Sequence, residues 1–191
     1  MKEKQKSHPM ERYRIYNDCA LYYVTFSVVD WLPVFTSEAA FQIVTDSFTH
    51  CHKTKSLRIN AYVIMPTHLH AIVFDAEWRP ERLEQTLIDF RKFTGRRLAD
   101  HCASHLPACF SQALKAAAPE DRDRRFWQAT RHPVALVSET MWRQKLDYLH
   151  DNPCRKGLVR RAAEWRFSSA GFYASEGGVQ GDVEISRLMW D

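Results

Sequence analysis

Several things are missing from this 191-residue sequence. Its longest apolar stretch is broken within about ten residues, which excludes a transmembrane helix. The N-terminal MKEKQKSHPMERYR is basic but has no apolar run of the kind a secretory leader needs, so a cytosolic protein without membrane attachment is expected. The five cysteines (Cys19, Cys51, Cys102, Cys109 and Cys154) are odd in number and scattered, with no C-x-x-C pair. That excludes a disulfide framework and reads as reduced thiols. There is no internal repeat and no low-complexity tract. Charge of one sign does not dominate either: 27 Lys and Arg stand against 23 Asp and Glu, a net charge of +4. What remains is 45% hydrophobic, 26% charged and 13% aromatic, the composition of an ordinary globular protein. One domain over residues 1–175 and a C-terminal tail over 176–191 are expected.

The positive charge is clustered although its sum is small. Beyond the N-terminal segment it gathers as Arg91, Lys92, Arg96 and Arg97; as Arg122, Arg124, Arg125 and Arg131 around Phe126 and Trp127; and as Arg155, Lys156, Arg160 and Arg161 ahead of Trp165 and Arg166. Guanidinium groups interleaved with rings suit single-stranded or structured nucleic acid, phosphates meeting the cations and bases meeting the rings. A solvated helix face accounts for any one cluster alone. Three in one small domain favour a polyanion, and Arg91, Lys92, Arg96, Arg97, Arg124, Arg125, Arg155 and Lys156, with Lys145 of the last predicted helix, are the candidate phosphate contacts.

Hydrophobic periodicity divides the chain. Ala20–Val29 is rich in aromatic and β-branched residues and predicts a first strand. A helix is expected from Glu38 to about His52, then strands at Leu57–Met65 and His68–Asp75 joined across Pro66 and Thr67. A second helix opens at Pro80, with Leu83, Leu87, Phe90 and Phe93 near one face. Residues 101–131 read either as helix or as loop. His132–Val137 predicts a short fourth strand. Ser138 then caps a helix running to about Asn152, where Pro153 is expected to stop it. Gly177–Gly181 reads as a loose surface segment. The order β-α-β-β-α-β followed by a further helix predicts an α+β, ferredoxin-like antiparallel sheet with helices packed on one face, plus an additional helix.

Two patterns carry chemistry. In His68-Leu69-His70 the two imidazoles lie on one face of a strand and Leu69 on the other, so both rings can reach one metal ion; ordinary polar positions are the alternative. The apolar runs on either side bury the pair, and buried imidazoles need partners. In the last predicted helix Tyr148 and Asn152 are separated by about 40° and Lys145 and Tyr148 by about 60°, while Trp142, Leu146 and Leu149 form a separate stripe that can anchor the helix. This face can supply a nucleophile, a ligand and a phosphate contact. A core tyrosine beside an Asn152 helix cap is the alternative. His150 lies about 160° from Asn152 on that helix, which favours a structural or DNA-contacting role. Tyr22, Tyr23 and Tyr62 read as core. His101, Cys102, His105 and Cys109 form a zinc-like H-C-x-x-H-x-x-x-C cluster, but Pro107 interrupts it and its spacing matches no common finger.

AYVIMPTHLHAIV, FWQ (Phe126–Gln128), LDYLHDNPCRKGLV and WRFSS (Trp165–Ser169) together resemble the REP-associated tyrosine transposases. These belong to the HUH superfamily of single-strand transposases, named for two histidines flanking a hydrophobic residue. The similarity extends from about residue 12 to 175. It implies a ferredoxin-like fold, a divalent metal (Mg²⁺ or Mn²⁺) on His68, His70 and Asn152, and Tyr148 as nucleophile. It further implies single-stranded DNA with a palindromic hairpin as partner, and nicking and joining through a 5′-phosphotyrosine. An ordinary tyrosine is only about 0.1% ionised at neutral pH and needs such help. A metal on two imidazoles and an amide keeps open positions for phosphate oxygens, and nitrogen ligands suit Mn²⁺. A covalent phosphotyrosine conserves the bond energy, so strands can rejoin without ATP. Two rival readings are a non-catalytic ferredoxin-like nucleic-acid-binding protein and a phosphodiesterase that uses water in place of Tyr148.

Overall fold

The computed structural model describes residues 21–129, 133–176, 178–179 and 181–188. The N-terminal basic segment, Cys19, Ala20, Arg131, His132, Gly177, Met189 and Trp190, on which expectations were placed above, lie outside the described residues. Four strands form one antiparallel sheet: β1 (Leu21–Ser27), β2 (Leu57–Met65), β3 (His68–Asp75) and β4 (Val134–Ala135), in the order β2-β3-β1-β4. Five helices accompany them: α1 (Glu38–Thr54), α2 (Pro80–His105), α3 (Ala108–Ala116), α4 (Glu139–Arg155) and α5 (Ala170–Ala174). This is the ferredoxin-like arrangement expected from the sequence. Among the described residues no helix is long and apolar enough to cross a membrane.

Alternation along the strands builds two cores. Tyr22, Val24, Phe26, Leu69 and Val73 face one way and pack under α1 and α2 with Phe41, Phe48, Leu83 and Phe90. Leu21, Tyr23, Val63, Met65 and Ile72 face the other way and receive Trp142, Leu146 and Leu149 of α4, the expected anchoring stripe. Every residue of β3 is buried, which explains why that strand is almost continuously apolar. The outer edge of β2 is covered: Ile64 N–H donates to Phe167 O, and Ser169 N–H to Tyr62 O, both at 2.9 Å. In the C-terminal segment Val183 and Ile185 are buried in the first core, and Ser186 N–H donates to Ile59 O.

Two expectations need correction. Phe93 is not on the buried stripe of α2; it is 49% exposed. Thr94 takes the core position instead, because helical geometry sets it about 20° from Leu83, and Phe93 about 80° away on the other side. There the Thr94 hydroxyl donates to Phe90 O at 2.7 Å and accepts the Trp127 indole N–H at 3.1 Å. Gly95 follows because a Cβ there would come within 3.2 Å of the Trp127 ring.

Pro153 does not stop α4, which continues to Arg155. A proline in the last turn forfeits one backbone hydrogen bond and leaves the next ones intact. The stop is Gly157, at φ 70°. Leu158 N–H donates to Pro153 O at 2.9 Å and Gly157 N–H to Cys154 O at 2.9 Å. Those are the two bonds of a Schellman cap, in which a left-handed residue satisfies the last carbonyls.

Candidate active site

His68 and His70 open β3 opposite Ser27 and Thr25 of β1, with Leu69 on the opposite face in the first core. Their ring centroids are 4.7 Å apart. The Nδ1 of His68 shares a 2.9 Å hydrogen bond with the Thr67 hydroxyl, and the Nδ1 of His70 a 2.8 Å bond with the Thr25 hydroxyl. With Nδ1 occupied in both rings, Nε2 is the nitrogen each offers to a ligand, the arrangement by which outer-shell groups orient metal-bound imidazoles. Burial, and then the nearby Lys156, lowers the His68 pKa to about 4. Burial, then His68, Lys145 and Arg155, holds His70 well below its ordinary value. Both rings are therefore neutral at physiological pH, the state that ligation requires.

The same shift predicts how stability depends on pH. His150, half-buried beside α5 with its Nε2 2.8 Å from the Ser169 hydroxyl, is also lowered to about 4, by desolvation of its ring. Unfolded imidazoles take up protons near 6.5, whereas His68 and His150 in the fold do so near 4. Between those limits the unfolded chain binds more protons, so stability is full above 6.5 and falls as pH drops towards 4. Each such histidine contributes a slope of up to about 1.4 kcal/mol per pH unit. In metal-free buffer, the denaturant midpoint is expected to fall between about pH 7 and pH 5, and to fall less in His150→Gln. An unchanged midpoint would contradict the buried neutral state.

The other wall of the site is α4. Arg155, Tyr148, Asn152, Lys145 and Lys156 occupy a sector of about 100° on that helix. Tyr148 is 41% exposed, and its ring centroid is 5.9 Å from that of His70. The Arg155 guanidinium lies over the Tyr148 ring at 4.4 Å, and the Lys145 ammonium is 5.9 Å from the same centroid. Asn152 is 2% exposed, and among the described residues its side-chain amide makes no hydrogen bond. Two imidazoles and, on the facing helix, the amide of Asn152 are donor types that suit a divalent first-row ion. The residues present therefore fit such an ion.

Sequence reasoning missed three neighbours. Tyr23, read as core, is buried but stacks on His70 at 5.2 Å, beneath the Lys145 ammonium at 5.0 Å. Burial, followed by the charge of Tyr148, pushes the pKa of its hydroxyl far up, and Tyr23 is buried where Tyr148 is exposed. Thr25 and Thr67 hold the imidazoles. The signal for Thr25 was an aliphatic hydroxyl in the middle of a mostly apolar strand; nothing local marked Thr67.

The candidate DNA contacts separate into groups. Lys145, Arg155 and Lys156 surround the histidine and tyrosine pair. Lys92, Arg96, Arg124 and Arg125 line a groove of about 650 Å³ between α2 and the segment 119–129. Arg91 lines the same groove while it donates to Gln128 O at 2.6 Å and lies over the Phe26 ring at 5.3 Å. Arg97 lines a different hollow, between α1 and α2. The zinc-like cluster does not assemble. Cys102 is fully buried, with burial pushing its thiol up to about 11, whereas Cys109 is exposed on α3. Among the described residues no three His, Cys, Asp or Glu converge on one point.

No protein-family model and no curated protein matches the sequence. Solved structures do. A REP-associated tyrosine transposase bound to a REP hairpin superposes with a TM-score of 0.61 at 18% identity, over 95% of each chain. A candidate transposase from Deinococcus radiodurans R1 gives a TM-score of 0.46 at 14% identity, over 79% of this chain and 97% of that one. The first likeness extends over nearly the whole of both molecules, and the chain has the fold of that REP-associated tyrosine transposase.

Proposed function

We propose that this protein is a cytosolic, metal-dependent enzyme that nicks and joins single-stranded DNA at palindromic hairpins through a covalent 5′-phosphotyrosine on Tyr148. The carrying observation is the exposed Tyr148 ring 5.9 Å from His70, beside two imidazoles offering Nε2 and beneath the cations of α4. The likeness to a transposase bound to a DNA hairpin supports the choice of partner.

His68, His70 and Asn152 would hold Mg²⁺ or Mn²⁺, which supplies Lewis acidity towards a phosphodiester. The chain's own residues do the rest. Arg155, Lys145 and Lys156 bind and orient the phosphate and offset its charge. The Tyr148 oxygen attacks phosphorus and gives up its proton, and a Tyr148–phosphate bond replaces the bond to the 3′ oxygen. That oxygen leaves with a proton as a 3′-hydroxyl. Attack by a 3′-hydroxyl on the phosphotyrosine reverses these changes and rejoins the strand. The HUH resemblance sets the polarity.

Binding provides the first test. A single-stranded hairpin is expected to bind more tightly than a plain duplex of random sequence, and with strong salt dependence. If about five phosphates are neutralised, the log–log slope of affinity against salt is near −3.5. A flat salt response, or equal affinity for the random duplex, would mean that the clustered cations are only solvated surface.

A further inference from the structure

The wall facing α4 carries an aromatic residue that the chemistry above does not use. Trp31 ends a short 3-10 turn, Val29–Trp31, that follows β1. It is 56% exposed, an unfavourable position for an indole. The backbone there is also unfavourable: Asp30 and Trp31 sit at φ 51° and 54°, the left-handed region that suits glycine. Yet the turn is firmly held. Val28 N–H donates to Thr67 O at 2.9 Å, Val29 N–H to Phe126 O at 2.9 Å, and Leu32 N–H to Val29 O at 3.1 Å. Among the described residues the Trp31 ring touches one other ring, that of His68, edge-on at 5.8 Å. A rigid, exposed indole is thus presented beside the histidine pair at a conformational cost, and among the described residues no ring or cation is stacked on its face.

We propose that Trp31 is a stacking platform for the nucleobase adjoining the phosphate held at the His68–His70 pair. A flat π-face beside a phosphate-binding centre holds an unpaired base whatever its identity, so this residue seats the strand and leaves sequence choice to other contacts. The proposal rests on the nuclease reading of the same site.

Trp31→Gly tests it. Glycine suits a φ of 54°, so thermal stability should be retained or raised, while affinity for a hairpin oligonucleotide with a mixed-sequence single-stranded flank falls about 5- to 100-fold. Trp31→Phe keeps a ring and is expected to keep most of the affinity. Trp78 is an internal control. It too is exposed and at positive φ, but it stacks on Phe74 at 4.8 Å and follows the far end of β3. Trp78→Ala should bind like the wild type. Abasic sites walked along the flank should locate one position where losing the base weakens the wild type but not Trp31→Gly. Undiminished binding by Trp31→Gly, an equal loss in Trp78→Ala, or no such position would overturn the proposal. If the wild type binds no hairpin at all, the nuclease reading fails and the platform falls with it; if it binds and Trp31→Gly binds equally, only the platform fails.

Discussion

His70→Ala is expected to abolish DNA cleavage, by about 10³-fold or more, while hairpin affinity stays roughly unchanged. The asymmetry follows from where each energy comes from. Affinity for DNA is mostly phosphate neutralisation, and Lys145, Arg155, Lys156 and the groove between α2 and the segment 119–129 all survive the substitution. In the proposed mechanism cleavage uses both imidazoles, and a single imidazole with an amide is a poor site for a divalent ion. His68→Ala and chelation by EDTA should act in the same way. Chelation leaves the protein chemically intact, so loss of activity under EDTA with unchanged binding separates metal dependence from any packing defect caused by removing a ring that stacks on Tyr23. Undiminished cleavage in EDTA would refute the metal assignment.

Tyr148→Phe should be equally severe, and for a different reason. The substitution removes one oxygen from a ring that is 41% exposed, so folding and DNA binding are expected to persist. Arg155 can still cover the ring, since a phenyl face also attracts a cation. Without the nucleophile, cleavage should drop by about 10⁴-fold or more, because nothing else at the site replaces it. Tyr23→Phe is the matched comparison: the residue is 5% exposed with its hydroxyl buried, and the variant should cleave much like the wild type. A phosphodiesterase using water would cleave in Tyr148→Phe. A non-catalytic binding protein would cleave in neither.

Periodicity and punctuation predicted most of the fold. β2 and β3 keep the limits read from alternation and from the Pro66-Thr67 turn, and Ser138 caps α4 with its hydroxyl accepting from Met141 N–H. The failures have local physical causes. Pro153 looked like a stop because the rule about residues before proline is a preference, and the cap at Gly157, four residues later, outweighs it. Phe93 is apolar but lies about 80° from Leu83 around α2, whereas Thr94 lies about 20° away and accepts the Trp127 indole N–H, so angle outweighs hydrophobicity there. At the site, His68, His70, Tyr148 and Asn152 were visible as spacing on one strand and one helix. Thr25 and Tyr23 were not, because their role depends on which residue of β1 stands beside which residue of β3, and register is a tertiary property.

The central claim is a covalent bond between DNA and one named tyrosine. The direct measurement is to incubate the protein with a labelled hairpin strand and Mg²⁺ or Mn²⁺, separate the products on a denaturing gel, and map the modified peptide by mass spectrometry. The account predicts a protein–DNA band that depends on the metal, a nucleotide mass on the peptide containing Tyr148, a free 3′-hydroxyl on the released strand, and no band from Tyr148→Phe. An adduct on another tyrosine, or cleavage of the strand without any adduct, would contradict it.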